Sequence, residues 1–519
     1  MKKILFSFLS FSALMLHAEQ WQILGTRAMG MGGAYVAMAK GPIAQYWNPA
    51  GLAQVSTQTF NGIEIPAGVG IEATGGILDN VSEVTEVSNQ LDAIKQTQTT
   101  GEKVDANQMS AFIKTLGILS KINEKEDSGA LVEVAGGINL KFSKFAISVN
   151  NYSSVGLNPF IDANNINVVS SGVGGAGGNL PTNKTGVSGE YQTARDNIQT
   201  TISNIGLDNI KELFCGNDTS CINYFNLYYS SNPQLLANAF VNEAISSGIS
   251  ATELNEISEE ALKYSSDAKE VIDNMVAGGS FDDNSSNVNI RAASFTEFAI
   301  GYAKPMDKLL NGLSAGANIK LVRGQIGNKT FEFLKEDETG DAFENLDENL
   351  KTSTKPSIDV GFLWNVNDKY PKIPFKPRVG LTIRNILSPS FDGPDGKYKL
   401  DRQARFGIAL SPFNWWHWAI DIDLTKNSTV VDGFYSRQLS IGTEINILNK
   451  KSFNLPIRLG MMKNIAESDS STMYTAGIGL TFAYIHFEAA VGISSDETTI
   501  DGDKYPQKGQ AVASIGILF

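Results

Sequence analysis

The stretch "WHWAIDIDLTK", residues 416–426, places Trp416, Trp418, Ile420, Ile422 and Leu424 on one side of an extended chain and His417, Ala419, Asp421 and Asp423 on the other. Successive side chains of a strand point to opposite faces, so one face is bulky and apolar while the other carries two carboxylates and an imidazole. The split recurs in "SIDVGFLWNVN" (Ile358, Val360, Phe362, Trp364 and Val366 against Ser357, Asp359, Gly361 and Asn365). It recurs again in "RFGIALS" (Phe406, Ile408 and Leu410), "QLSIGTEINI" (Leu439, Ile441 and Ile445) and "YIHFEAAVG" (Ile485, Phe487 and Val491).

A soluble β-sandwich also alternates, so the choice of solvent needs more than period two. Three features select lipid: large residues fill the apolar face in strand after strand, glycine and charge fill the other, and aromatics (Tyr302, Trp364, Trp416, Trp418, Tyr474, Tyr484) gather at strand ends. In hydrocarbon every backbone polar group must pair within the protein, so such a sheet has to close on itself around a polar lumen. The spacing predicts strands near 59–73, 129–142, 145–157, 292–305, 312–323, 354–366, 375–387, 401–411, 415–425, 436–446, 454–464, 472–483, 485–494 and 510–519. The expected fold is therefore an all-β membrane barrel of about fourteen antiparallel strands. Short turns alternate with longer connections, as when one end faces the periplasm and the other the cell exterior.

Composition narrows the function classes. A net charge of −13 with scattered lysines and arginines argues against a nucleic-acid partner, which needs a basic stripe. Histidine occurs at positions 17, 417 and 486 alone, CxxC spacing is absent, and no G-x-S-x-G elbow occurs. No catalytic residue, metal or cofactor is expected, and lumen polarity accounts for His417, His486, Asp421, Asp423 and Glu488. Cys215 and Cys221, in the turn-rich "CGNDTSC" of an exported chain, are expected to form a local disulfide.

Two insertions interrupt the barrel, at 74–128 and 158–291, and by strand parity both leave the same end. Helical patterns fill them: "NVSEVTEVSNQLDAIKQ" and "NQMSAFIKTLGILSKI" in the first, "NIQTTISNIGLDNIKELF", "PQLLANAFVNEAI" and "ELNEISEEALKYSSDAKEVIDNM" in the second. Their apolar stripes, such as Leu235, Leu236, Phe240 and Val241, either pack on one another as a cap or form a hydrophobic ligand groove. The stretch "SSGVGGAGGN", 170–179, reads as a flexible tether.

At the N-terminus, Lys2 and Lys3, an apolar run from Ile4 to Leu16, and Ala18 before Glu19 read as an export signal over 1–18. The next segment holds "GTRAMGMGGAYVAMAKGPIAQYWNPAGLA", residues 25–53, which is not a dinucleotide loop because Tyr35 stands where the third glycine would fall. A fourteen-stranded barrel is wide enough to leak, so 19–56 is expected to be a plug inside the lumen of a barrel over 57–519. Its glycines permit close packing, and Asn48 can cap a turn opened by Pro49.

This segment resembles the N-terminal hatch of the FadL-type outer-membrane long-chain fatty acid transporters, in its glycine run and in Asn48, Pro49 and Ala50. It is also similar to the PorV-like barrels of protein secretion and to the conjugal-transfer TraF-like barrels, the latter sharing long helical insertions. The two insertions depart from the transporter pattern. The alternating last strand ending at Phe519 resembles the C-terminal signature by which the barrel-assembly machinery recognises its clients. The resemblance implies an outer-membrane channel for passive uptake of hydrophobic, fatty-acid-like molecules. Gly30, Gly32, Gly33, Trp47, Asn48, Pro49 and Ala50 are the candidate gating residues, unless the plug is purely structural. The other function class is a non-transporting scaffold that displays helical loops to a secretion or conjugation partner.

Overall fold

Closure is the central feature of the architecture. The computed structural model describes residues 20–54, 61–74, 106–124, 128–162, 165, 180–276, 284–332, 350–450, 453–500 and 503–519. The export signal, the helix expected over 80–96 and the tether at 170–179 lie outside the described residues. Fourteen strands make the barrel: β1 Gly62–Thr74, β2 Gly129–Phe142, β3 Phe145–Phe160, β4 Asn287–Pro305, β5 Leu313–Glu332, β6 Lys351–Asn365 and β7 Arg378–Arg384 in the first half. The second half is β8 Gln403–Phe413, β9 Trp416–Asp423, β10 Gln438–Asn446, β11 Pro456–Asn464, β12 Met473–Phe482, β13 Ile485–Ser494 and β14 Lys508–Leu518. Each pairs antiparallel with its neighbours in chain order, and β14 returns to β1 with Leu518 opposite Gly62 and Lys508 opposite Glu72. A two-residue segment, Phe453–Asn454, adds to the end of β12. No sheet edge remains in the ring, as a lipid-facing sheet requires.

The alternation decides inside from outside. Ile319, Ile420 and Phe487 are 72%, 51% and 54% exposed, whereas Lys320, Asp421 and Asp423 are 1%, 1% and 0%. Charges are buried and apolar residues exposed, the reverse of a soluble core, so the outer belt is solvated by acyl chains. Phe362, Ile408, Ile441, Val491, Ile515 and Ile517 continue it.

The wall is uneven in height. β4 and β5 run nineteen and twenty residues, beyond the roughly 9–11 that cross a bilayer, while β7 has seven. The expected strand over 375–387 is shortened because Phe375, Lys376 and Asn385 take positive φ and leave the ladder. Val366, expected on the outer face, instead turns into the short helix Val366–Lys369 and is buried.

Both insertions rise from the tall half and fold into one helical module. Its helices are α3 Ala106–Glu124, α4 Gln192–Ile205, α5 Leu207–Cys215, α6 Thr219–Tyr228, α7 Pro233–Ser246 and α8 Ala251–Val276, α1 and α2 belonging to the plug. Gly206, at φ 98°, breaks the expected single helix over 197–214 into α4 and α5. Asp218 caps α6 and Asn232 caps α7, whose first position is Pro233. Leu116, Ile198, Ile202, Leu236, Phe240, Val241, Leu254 and Ile272 share one buried core. The helix stripes are consumed there, which is the cap alternative rather than the open groove. Cys215 and Cys221 are disulfide-bonded across 5.3 Å between Cα atoms. Burial beside Tyr224 pushes the Tyr229 phenol well up, and its hydroxyl donates to the Pro181 carbonyl at 2.8 Å. Where the second insertion leaves and re-enters the wall, Asp162 accepts from the Ser285 backbone at 3.0 Å and hydroxyl at 2.9 Å, while the Ser286 hydroxyl accepts from the Asp162 N–H at 2.8 Å.

Candidate functional site

The plug fills the turn end of the lumen. α1 Thr26–Gly30 and α2 Ala44–Trp47 are single turns, followed by the 3₁₀ turn Pro49–Ala53, and nearly every residue from Gln20 to Ala53 is buried. Gly32 and Gly33 sit at φ 64° and 87°, and a Cβ on Gly32 would stand 2.5 Å from the Met461 carbonyl oxygen of β11. Two independent constraints therefore demand glycine there. Gly30 is as close-fitting: a Cβ would meet the Arg458 Cβ at 3.0 Å.

The wall answers the plug with glycines of its own. A Cβ on Gly361 of β6 would stand 2.8 Å from Pro49 Cδ, on Gly380 of β7 2.8 Å from the Val36 carbonyl, and on Gly477 of β12 3.0 Å from the Gly30 Cα. Gly316 of β5 faces Pro49, Gly407 of β8 faces Ala37, Gly442 of β10 faces Met31 and Gly460 of β11 faces Gly32. Seven strands thus offer bare backbone to bare backbone. Alternation places these glycines on the inward face but does not tell that they meet the plug.

Aromatics hold the plug's interior. Trp47 is fully buried, its indole N–H donates to the Leu24 carbonyl at 2.7 Å, and its ring meets Trp21 at 6.0 Å, Tyr35 at 6.0 Å and Tyr46 at 5.7 Å. Asn48 makes three hydrogen bonds: its side-chain oxygen accepts from the Ala50 N–H at 3.1 Å, while its nitrogen donates to the Val36 carbonyl at 3.1 Å and the Phe362 carbonyl at 3.0 Å. Pro49 and Ala50 lie against the wall beside it.

Polar locks fasten plug to wall. Asp421 accepts the Tyr35 and Val36 backbone N–H groups at 2.7 Å each, a role beyond plain lumen polarity. Arg27 grips Glu444 with two bonds of 2.7 Å, and Arg458 joins Glu444 at 2.7 Å to Glu488 at 2.8 Å, which also accepts from the Thr26 hydroxyl at 2.7 Å. A second network sits farther out: Lys320 meets Glu297 at 2.6 Å and Asp359 at 2.9 Å, and Arg384 meets Glu297 at 2.9 Å. Two guanidinium groups lie near the Trp21 ring, Arg405 at 4.7 Å and Arg384 at 5.3 Å from its centre. His417 and His486 each meet one hydroxyl, Ser411 at 2.8 Å and Thr481 at 2.9 Å. Among the described residues no group of His, Cys, Asp or Glu is arranged to hold a metal ion.

Beyond the charged networks the lumen turns apolar. Leu131, Phe295, Val322 and Ile326 point inward from the tall strands, next to Tyr152, whose hydroxyl donates to Glu297 at 2.5 Å, and two connections of the short half cross the mouth to meet them. In the first, the hairpin Ser390–Gly393 with Gly396–Lys399 seats Phe391 over Gly324 and 5.3 Å from Phe295. In the second, between β9 and β10, Val430 packs on Gly156 and Val431 on Gly129, while Asp432 pairs with Arg291. Neither crossing was legible from periodicity. Phe519, the last residue, exchanges two backbone hydrogen bonds with Asn61, its ring exposed.

A family model described as "F plasmid transfer operon, TraF, protein" matches residues 45–423, which takes in both insertions. No curated protein matches. Among solved structures, the Pseudomonas putida toluene transporter TodX is 10% identical with a TM-score of 0.37, covering 98% of each chain. A Pseudomonas aeruginosa FadL homologue is 9% identical with a TM-score of 0.37, covering 97% of this chain and 99% of that one. A deletion mutant of TodX, titled a monoaromatic hydrocarbon channel, is 10% identical with a TM-score of 0.41, covering 95% and 99%.

Proposed function

We propose that this chain, which belongs to the TraF family of the F plasmid transfer operon, is an outer-membrane channel that passes hydrophobic small molecules through a plugged lumen. One observation supports this above others: past the charged networks the barrel interior is filled by Leu131, Phe295, Val322, Ile326 and Phe391, buried against one another, where a pore for water-soluble solutes keeps an open polar lumen. A hydrophobic solute that parts this cluster keeps its apolar surface out of water, then meets charged networks and the plug. Gly30, Gly32, Gly33, Trp47, Asn48, Pro49 and Ala50 would set whether it passes, and Phe519 would be the handle for the barrel-assembly machinery. Uptake of a labelled fatty acid into liposomes, with the full chain and with residues 19–56 deleted, tests this. The full chain is expected to exceed empty liposomes, and the deletion to exceed both. A rate for both proteins equal to that of empty liposomes would end the proposal.

A second reading has its own observation. The helical module packs on itself rather than opening toward the lumen, as a display domain for a conjugation or secretion partner would. Replacing residues 180–276 by a short linker would then lower conjugative transfer and leave fatty acid uptake intact.

A further inference from the structure

Two neighbouring connections at the turn end stand apart from the rest of an acidic chain. The end of β4 with the turn that follows it and the longer connection between β6 and β7 together expose Lys304, Lys308, Lys369, Lys372 and Lys376 against two carboxylates, Asp307 and Asp368. The Asp307 carboxylate accepts the Gly312 N–H at 3.0 Å. The two turns form one platform: the Asn311 side chain donates to the Asp368 carbonyl at 2.7 Å, and the Asn365 N–H donates to the Gly312 carbonyl at 2.9 Å. Apolar side chains stand among the lysines, with Leu309, Tyr370, Ile373 and Phe375 all exposed.

The platform hugs the lipid side of the barrel. Tyr370 lies 6.4 Å from Trp364, which belongs to the outward row of β6. The Trp364 indole donates to the Asn311 carbonyl at 3.1 Å. Phe375 takes φ 64°, a conformation costly for an aromatic residue, and its carbonyl accepts the Ser411 N–H of β8 at 2.6 Å. Lys376 reaches Asn414 at 2.8 Å, next to the stacked rings of Phe413 and Trp415. Lysines and apolar groups are thus held together at the level of the aromatic girdle, where headgroup phosphates meet acyl chains.

We propose that this platform binds the anionic phospholipid of the periplasmic leaflet, the lysines taking headgroup phosphates and Leu309, Tyr370, Ile373 and Phe375 the adjoining acyl carbons. It rests on the barrel crossing a membrane and on nothing about what passes through it. Ammonium groups on flexible stems suit phosphates that diffuse in a plane, and each contributes where anionic lipid collects.

The test uses the full chain in phosphatidylcholine nanodiscs carrying a minor fraction of brominated phosphatidylglycerol or brominated phosphatidylcholine. Trp364, Trp415, Trp416 and Trp418 report from the platform's neighbourhood, while the buried Trp21 and Trp47 give an unquenched background. The brominated anionic lipid is expected to quench more strongly. Lys369→Ala/Lys372→Ala/Lys376→Ala should lower that preference by about threefold or more, and Lys304→Ala/Lys308→Ala on the adjacent turn by a smaller factor. Inorganic phosphate should not compete. Equal quenching by the two lipids overturns the proposal, as does a preference unchanged in both variants. Competition by inorganic phosphate would mark a free-anion site and overturn it too. Absence of quenching by either lipid would instead refute the membrane barrel itself.

Discussion

The plug and the helical module are both buried and apolar, yet they are fixed in opposite ways. In the module, Leu236, Phe240, Val241 and Ile272 fill space with large side chains on neighbouring helical turns. In the plug, Gly32, Gly33 and Ala37 leave space out, so that backbone reaches backbone on seven strands. The module is held by volume, and the seam between plug and wall by its absence. A lost methyl group therefore wounds the first and an added one wounds the second.

That contrast can be broken in order of size. Gly442→Leu, which drives a side chain into the Met31 backbone, is expected to cost more than about 5 kcal/mol and to abolish the heat-modifiable barrel band in electrophoresis, whereas an unchanged band would show that the plug can yield. Phe240→Ala should cost the module about 4 kcal/mol and expose it to protease, with the barrel band intact. Asp421→Ala strands two buried N–H groups of the plug, a loss of about 2–3 kcal/mol seen as a lower urea midpoint and faster cleavage within residues 20–54. Reducing Cys215–Cys221 should cost about 2 kcal/mol, confined to the module's melting.

The smallest effect belongs to the module's exposed rim. The hydrogen bond from Lys269 holds the Asp273 carboxyl below its ordinary value, so their stabilisation is present above the unfolded pKa and fades as pH falls through the folded one. Lys269→Ala should change the module's melting by under about 0.5 kcal/mol at neutral pH, and by less in acid.

Much of this is legible in the sequence. Fourteen strands, the outward row through Ile358, Phe362, Ile420 and Phe487, and the plug all follow from period-two alternation and one glycine-rich segment. Alternation tells which way a side chain points but not what it meets. Asp421 reads as a lumen carboxylate either way, and only the fold brings it to Tyr35 and Val36. The crossings through Phe391 and Val430 were hidden for another reason: they lie in connections, where no periodicity operates, and their partners Gly324 and Gly156 are distant in sequence. The shortening of β7 is not legible in the sequence because Phe375 and Lys376 adopt left-handed backbone that their residue types do not announce.

The bare contacts around Gly316, Gly361, Gly442 and Gly460 bear on how such a molecule is built. A finished cylinder has no slack through which a folded stopper could be threaded. The N-terminal segment therefore has to enter before β14 zips against β1, and the staves close around a stopper that is already home.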